Sequence, residues 1–143
     1  MFNQFVKIFV VDDDRFHLQL MNHLLNDAGI KDVVLFENGM DCLSEIHQNP
    51  GIVFLDHQMD VYTGYETLRK IKRYNPNIFV VMVSGQDDIR TAVNTLKYGA
   101  FDYIQKDQDV EENVRSVLKR IDEVKNLVHT HQRSFFKSLF NLL

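Results

Sequence analysis

The 143-residue chain has a single cysteine, Cys42. No internal disulfide can staple it, and the thiol is expected in or near the core. Long hydrophobic runs are also missing. The longest strand-like apolar stretch is Ile78–Val83, IFVVMV, whereas a helical membrane span takes roughly 20 apolar residues. The opening MFNQFVKIFV has no basic start and no small-residue cleavage site, and it runs straight into a strand pattern. No signal peptide is therefore expected, and the expected compartment is the cytoplasm. An excess of positive charge is absent too. The net charge is −4, and residues 110–143 carry six Lys/Arg against four Asp/Glu, which leaves −6 on the rest. An acidic body is a poor nucleic-acid surface, and so mild a basic tail does not reverse that. What remains is ordinary for a folded domain, 45% apolar and 25% charged. A chain of this size makes one domain burying roughly two-thirds of its unfolded surface.

Apolar runs and helical spacings alternate five times. Lys7–Val11 reads as a short buried strand, and Asp14–Ala28 as a helix with Phe16, Leu20, Leu24 and Ala28 on one side and Leu25 widening it, closed by Gly29. Val33–Phe36 is the second strand, Met40–Ile46 a short helix, and Ile52–Leu55 the third strand. Gly64–Tyr74 is helical, with Thr63 as cap and Leu68 and Ile71 on one face. Ile78–Val83 is the fourth strand. Asp87 is expected to cap a helix whose Ile89, Ala92, Val93 and Leu96 share a side, ended by Gly99. Asp102–Ile104 is a fifth strand, and the last helix starts near Asp109. Strands that are apolar on both faces and alternate with helices point to a doubly wound α/β layout around a parallel sheet. Such sheets bind ligands beyond the carboxyl ends of their strands.

Polar residues collect at that edge. Asp12, Asp13 and Asp14 follow the first strand, Asp56 the third, Ser84 and Gly85 the fourth, and Lys106 the fifth. A single Asp at a strand end is usually a turn or helix cap, and Asp14 is read that way. A carboxylate set, a hydroxyl and an ammonium on one rim suit phosphoryl chemistry better than hydride or nucleotide-sugar chemistry. Mg2+ takes oxygen ligands, neutralises acids and polarises a phosphoryl oxygen. Asp56 is the candidate nucleophile, since carboxylates form aspartyl phosphates, while Lys106 and Ser84 are candidates to hold the remaining phosphoryl oxygens. The six histidines show no compact metal-ligand spacing.

Over residues 5–128 the chain resembles a response-regulator receiver domain of the single-domain chemotaxis type. The resemblance rests on VVDDD (Val10–Asp14), FLDHQM (Phe54–Met59), VSG (Val83–Gly85) and YIQK (Tyr103–Lys106) in this order and spacing. It implies a flavodoxin-like five-stranded parallel sheet of strand order 2-1-3-4-5 with an extended C-terminal helix. Asp56 would be the phosphoacceptor, served by a sensor histidine kinase or a histidine phosphotransfer protein. Asp13 would bind Mg2+ (or Mn2+) directly, together with Asp56 and the Gln58 backbone carbonyl, and Asp12 would do so through water. Ser84 would be the switch hydroxyl, Tyr103 the switch aromatic and Lys106 the phosphate-binding lysine. Gln58 and Gln86 would tune dephosphorylation. Phosphorylation would then alter the surface formed by the helix ending at Tyr98, the fifth strand and the last helix.

The chain departs from the family's usual pattern at two prolines. Asp107 follows the lysine and Asp60 stands four residues after the acceptor. A cis bond before Asp107 would cost about 2.5–4 kcal/mol, so either the loop is trans or strain is accepted. The expected activity is self-phosphorylation and self-dephosphorylation rather than multiple-turnover catalysis. Two alternatives compete with it. A phosphatase with an Asp nucleophile usually has a second acid two residues on, where this chain has Gln58. A degenerate receiver binding partners without phosphorylation predicts a damaged acidic set, which is intact here.

Beyond the receiver unit, assigned to residues 1–128, residues 129–143 form an apolar helical extension. Val110, Val114, Val117, Ile121, Val124, Val128, His131 and Phe135 recur at alternating spacings of four and three, compatible with a coiled coil. Phe135, Phe136, Leu139, Phe140, Leu142 and Leu143 crowd into nine residues. A homodimer interface, a return onto the same domain and a linker are the three fates open to them.

Overall fold

The structure, a computed structural model, describes residues 5–85 and 89–141. Among these residues, five strands form one parallel sheet: β1 Ile8–Val11, β2 Val33–Phe36, β3 Ile52–Asp56, β4 Phe79–Ser84 and β5 Asp102–Gln105. The spatial order is β2-β1-β3-β4-β5, the order the receiver resemblance implies. The helices are α1 Arg15–Asp27, α2 Gly39–Ser44, α3 Gly64–Tyr74, α4 Ile89–Lys97 and α5 Val110–Asn141. The segment read as one helix over Met40–Ile46 instead ends at Ser44, and a single 3₁₀ turn, Ile46–Gln48, leads to Asn49 in the left-handed region.

Because side chains alternate along a strand, each strand feeds two cores. Ile8, Val10, Ile52, Phe54, Val81 and Val83 pack with α1 and α5. Phe9, Val11, Val53, Leu55, Val80 and Met82 pack on the other side with Cys42 of α2 and with Leu68 and Ile71 of α3. Each fully buried aliphatic or phenyl side chain of this kind contributes roughly 1.5–3 kcal/mol. Cys42 is buried as expected, and burial pushes its thiol up to about 12, which makes it inert.

The capping expectations hold for two helices. Asp14 Oδ1 accepts from Phe16 N at 3.0 Å, and Thr63 Oγ1 accepts from Glu66 N at 3.1 Å. The expected cap Asp87 lies outside the described residues.

Two helical faces depart from the sequence reading. In α1 the buried side is His17, Leu18, Met21, Leu24 and Leu25, while Phe16 is 77% exposed. The 3.6-residue spacing admits both stripes, and packing against the sheet selects the one through His17. In α4 the shared apolar side is turned outward, with Ile89, Val93 and Leu96 exposed. The buried residue there is Thr95, whose hydroxyl donates to the Ala92 carbonyl at 2.9 Å and so needs no other partner.

Helix α5 is 32 residues long, or about 48 Å. Its Val110, Val114, Val117, Leu118 and Ile121 close the domain core. Past that point it continues as one uninterrupted helix, with Leu127, Val128, Phe135, Phe136, Leu139 and Phe140 exposed. The segment therefore does not fold back on its own domain; Leu142 and Leu143 lie outside the described residues. No helix among the described residues is long and apolar enough to cross a membrane.

Candidate functional site

Parallel strands in register carry their last residues to one edge. Val11 pairs with Leu55 and Asp56 with Val83, so Asp12 and Asp56 end on adjacent strands. Carboxylate oxygens of Asp12, Asp13 and Asp56 lie within 4.8 Å of one another. Asp12 and Asp56 are buried, 1% and 4% exposed, while Asp13 is open to solvent. Asp13 and Asp56 border an open cleft of about 580 Å³, whose walls include Gln58, Asp60, Thr63, Gly85 and Lys106. Gly64 shapes one wall. Its N–H donates to the His57 carbonyl at 3.0 Å, and a Cβ there would sit 2.7 Å from His57 Cα.

Lys106 lies between the buried acids, its Nζ 2.7 Å from Asp12 Oδ2 and 3.3 Å from Asp56 Oδ1. The Lys106–Asp107 peptide is trans, as are all peptide bonds among the described residues. The lysine nonetheless reaches the acids, because its own N–H donates to the Ser84 carbonyl at 2.8 Å and ties the end of β5 to the end of β4. Asp107 Oδ1 accepts from Asp109 N at 2.9 Å and leads the chain into α5.

The electrostatics separate the two buried acids. Burial raises Asp56, the neighbouring Asp12 charge raises it further, and the ammonium of Lys106 offsets only part, leaving its carboxyl at about 6. Burial works to raise Asp12 as well. Its contacts with His17, Lys106 and the Asp14 N–H outweigh that and hold it below the ordinary carboxylate range. Desolvation works against the charge on Lys106, yet Asp12 and Asp56 more than compensate and hold it above the usual lysine range. Two buried carboxylates against one ammonium leave net negative charge at an open, oxygen-rich site. The cluster can coordinate a divalent cation, since hard cations take oxygen ligands of this kind.

Ser84 ends β4 fully buried. Tyr103 is half-buried, pairs in register with Met82 and packs against the core on the α2–α3 side. Since Met82 and Ser84 share a face, Tyr103 sits diagonally across from Ser84. Gln58 lines the cleft, and Gln86 lies outside the described residues.

One site residue escaped the sequence reading. His17 Nδ1 stands 2.8 Å from Asp12 Oδ2, and the ring is buried. Its signal was positional, as the third residue of the helix that starts immediately after the acids.

The sequence profile of the family described as response regulator receiver domain matches residues 8–118. The transcriptional regulatory protein ZraR of Klebsiella oxytoca is 37% identical over 107 residues, covering 74% of this chain and 24% of the relative. ZraR of Escherichia coli K12 is 35% identical over 127 residues, covering 88% of this chain and 27% of the relative. The chain thus spans about a quarter of the length of these curated relatives. Among solved structures, the BeF3-activated DrrB receiver domain superposes with a TM-score of 0.76 at 30% identity, covering 83% of this chain and 98% of that one. With the profile spanning most of the chain and the topology agreeing, the protein belongs to the response-regulator receiver domain family.

Proposed function

We propose that Asp56 accepts a phosphoryl group from a histidine kinase or a histidine phosphotransfer protein, and that the domain thereby switches a protein-interaction surface. The observation that carries this reading is the convergence of three carboxylates with the Lys106 ammonium beside an open cleft. An Asp56 oxygen attacks phosphorus as the bond to the donor's imidazole breaks, and the electron pair leaves with the donor. Asp13, Asp56 and the Gln58 carbonyl would hold Mg2+ (or Mn2+) directly, with Asp12 acting through water. When bound, the cation neutralises the carboxylates and polarises a phosphoryl oxygen. Lys106 turns from Asp12 toward the new phosphoryl charge, and the Ser84 hydroxyl follows. Tyr103, diagonal to Ser84, moves into the space released. Gln58 and Gln86 tune the attack of water that returns the domain to its resting state. The outward apolar side of α4, Ile89, Val93 and Leu96, supplies surface for a partner that senses the change.

Intact-mass analysis after incubation with acetyl phosphate tests the reading. One phosphoryl group is expected in the presence of Mg2+, and none without it or in Asp56→Asn. Folded protein that gains no mass under any condition, with hydrolysis shown to be slow, sinks the phosphoacceptor role.

The extension at residues 129–143 is read as a homodimer segment, supported by the exposed Val128, Phe135 and Leu139 along the continuing helix. Sedimentation is expected to show a dimer for the full chain and a monomer for Val128→Glu/Phe135→Glu. Equal masses for the two proteins would remove the dimer from the account.

A further inference from the structure

His17 is the third residue of α1 and belongs to that helix's buried side, with Leu18, Met21, Leu24 and Leu25. Its side chain is 8% exposed. A leucine or methionine in the same place would bury only apolar atoms. The imidazole instead takes two polar nitrogens out of water, and neither makes a well-aligned hydrogen bond. Such a burial costs free energy that only the contact with Asp12 offsets. The ring's close polar approach is to Asp12, with Nδ1 2.8 Å from Oδ2.

Asp12 is held from several directions. Its Oδ1 accepts from the Asp14 N–H at 2.9 Å, and its Oδ2 is shared by Lys106 at 2.7 Å and His17 at 2.8 Å. In the phosphorylation mechanism Lys106 leaves Asp12 for the phosphoryl group. Of the two side chains that the structure places on Oδ2, His17 is the one that stays, because its short side chain is buried on the packed side of α1. We infer that His17 is a positioning residue of the acidic site, holding the Asp12 carboxylate in place while Lys106 moves away. The inference rests on the receiver reading of the site. Groups that orient a metal-binding carboxylate from behind typically change metal affinity by about 10–100-fold when removed.

The test compares wild type, His17→Leu and His17→Asn. The leucine fills the niche without a polar atom, whereas the asparagine amide can place a donor near the position of Nδ1. Mn2+ binding is read from the loss of the free-ion paramagnetic resonance signal, and stability from urea unfolding in EDTA. His17→Leu is expected to bind Mn2+ about tenfold more weakly while unfolding at the same or higher urea concentration. His17→Asn is expected to recover most of that affinity. Unchanged Mn2+ binding in His17→Leu, or His17→Asn no better than His17→Leu, overturns the positioning role and leaves a ring that only fills space. Wild type that binds no Mn2+ overturns it as well. Should wild type bind Mn2+ but take no phosphoryl group from acetyl phosphate, the phosphoacceptor reading fails, and the three affinities still decide whether His17 holds Asp12.

Discussion

Lys106→Met is expected to lower the stability of the metal-free protein by about 3 kcal/mol near neutral pH and to slow phosphoryl uptake by about 10²–10³-fold. The side chain is 20% exposed, and its ammonium contacts two carboxylates that are almost fully buried. Methionine keeps the volume and removes the charge, which leaves Asp12 and Asp56 facing each other with no cation between them. The loss depends on pH in a definite direction. Asp56 already titrates at about 6 with the lysine present, and without it the carboxyl rises further. At about pH 5 the variant takes up a proton there and relieves the repulsion. The deficit is therefore expected to be larger at about pH 8 than at about pH 5 in urea unfolding. Saturating Mg2+ should narrow it, because a bound cation restores the missing positive charge. A deficit that is the same at both pH values and indifferent to Mg2+ would mean that Lys106 contributes packing alone.

Asp56→Asn should act in the opposite sense on stability while eliminating phosphorylation. A carboxyl that titrates at about 6 in the fold and near 3.9 in the unfolded chain costs the folded state about 3 kcal/mol once it is ionised. The sign follows from proton uptake. Between about pH 4 and about pH 6 the native state holds a proton that the unfolded state has released, so this group's stabilising contribution is complete below the lower value. It is lost as pH rises through the upper one. Asp12, held low, works the other way, and its contribution is lost only as the solution becomes more acidic still. Wild type in EDTA is thus expected to gain stability as pH falls from about 8 to about 5. Asp56→Asn should be about 2–3 kcal/mol more stable than wild type at about pH 8, with that part of the pH dependence flattened. Finding the variant less stable than wild type at about pH 8 would falsify the claim that Asp56 is strained by its neighbours.

Helical faces were less legible in the sequence than strand ends. In α1 a stripe through Phe16, Leu20 and Leu24 and one through His17, Met21 and Leu24 both fit the helical period, and only contact with the sheet selects the second. In α4 the period correctly groups Ile89, Val93 and Leu96, yet that group faces solvent. Periodicity states which residues share a side and carries no information about what covers it. The same holds for α5, where one heptad pattern runs through Ile121, which is buried, and Phe135, which is exposed. The sheet simply ends beneath the first half.

The sequence by itself determined the five-fold alternation, the parallel sheet, and the collection of Asp12, Asp13, Asp56, Ser84 and Lys106 at one edge. Each follows from local pattern, since every parallel strand delivers its final residues to the same side. Tertiary structure alone decided that Lys106 bridges Asp12 and Asp56 without a cis peptide, that the two acids are driven apart in their affinity for protons, and that His17 stands behind Asp12. Those outcomes depend on ångström-scale distances between elements far apart in the chain. Strand register, helix rotation and burial set those distances, and none of the three is written in the spacing of residues along a single element.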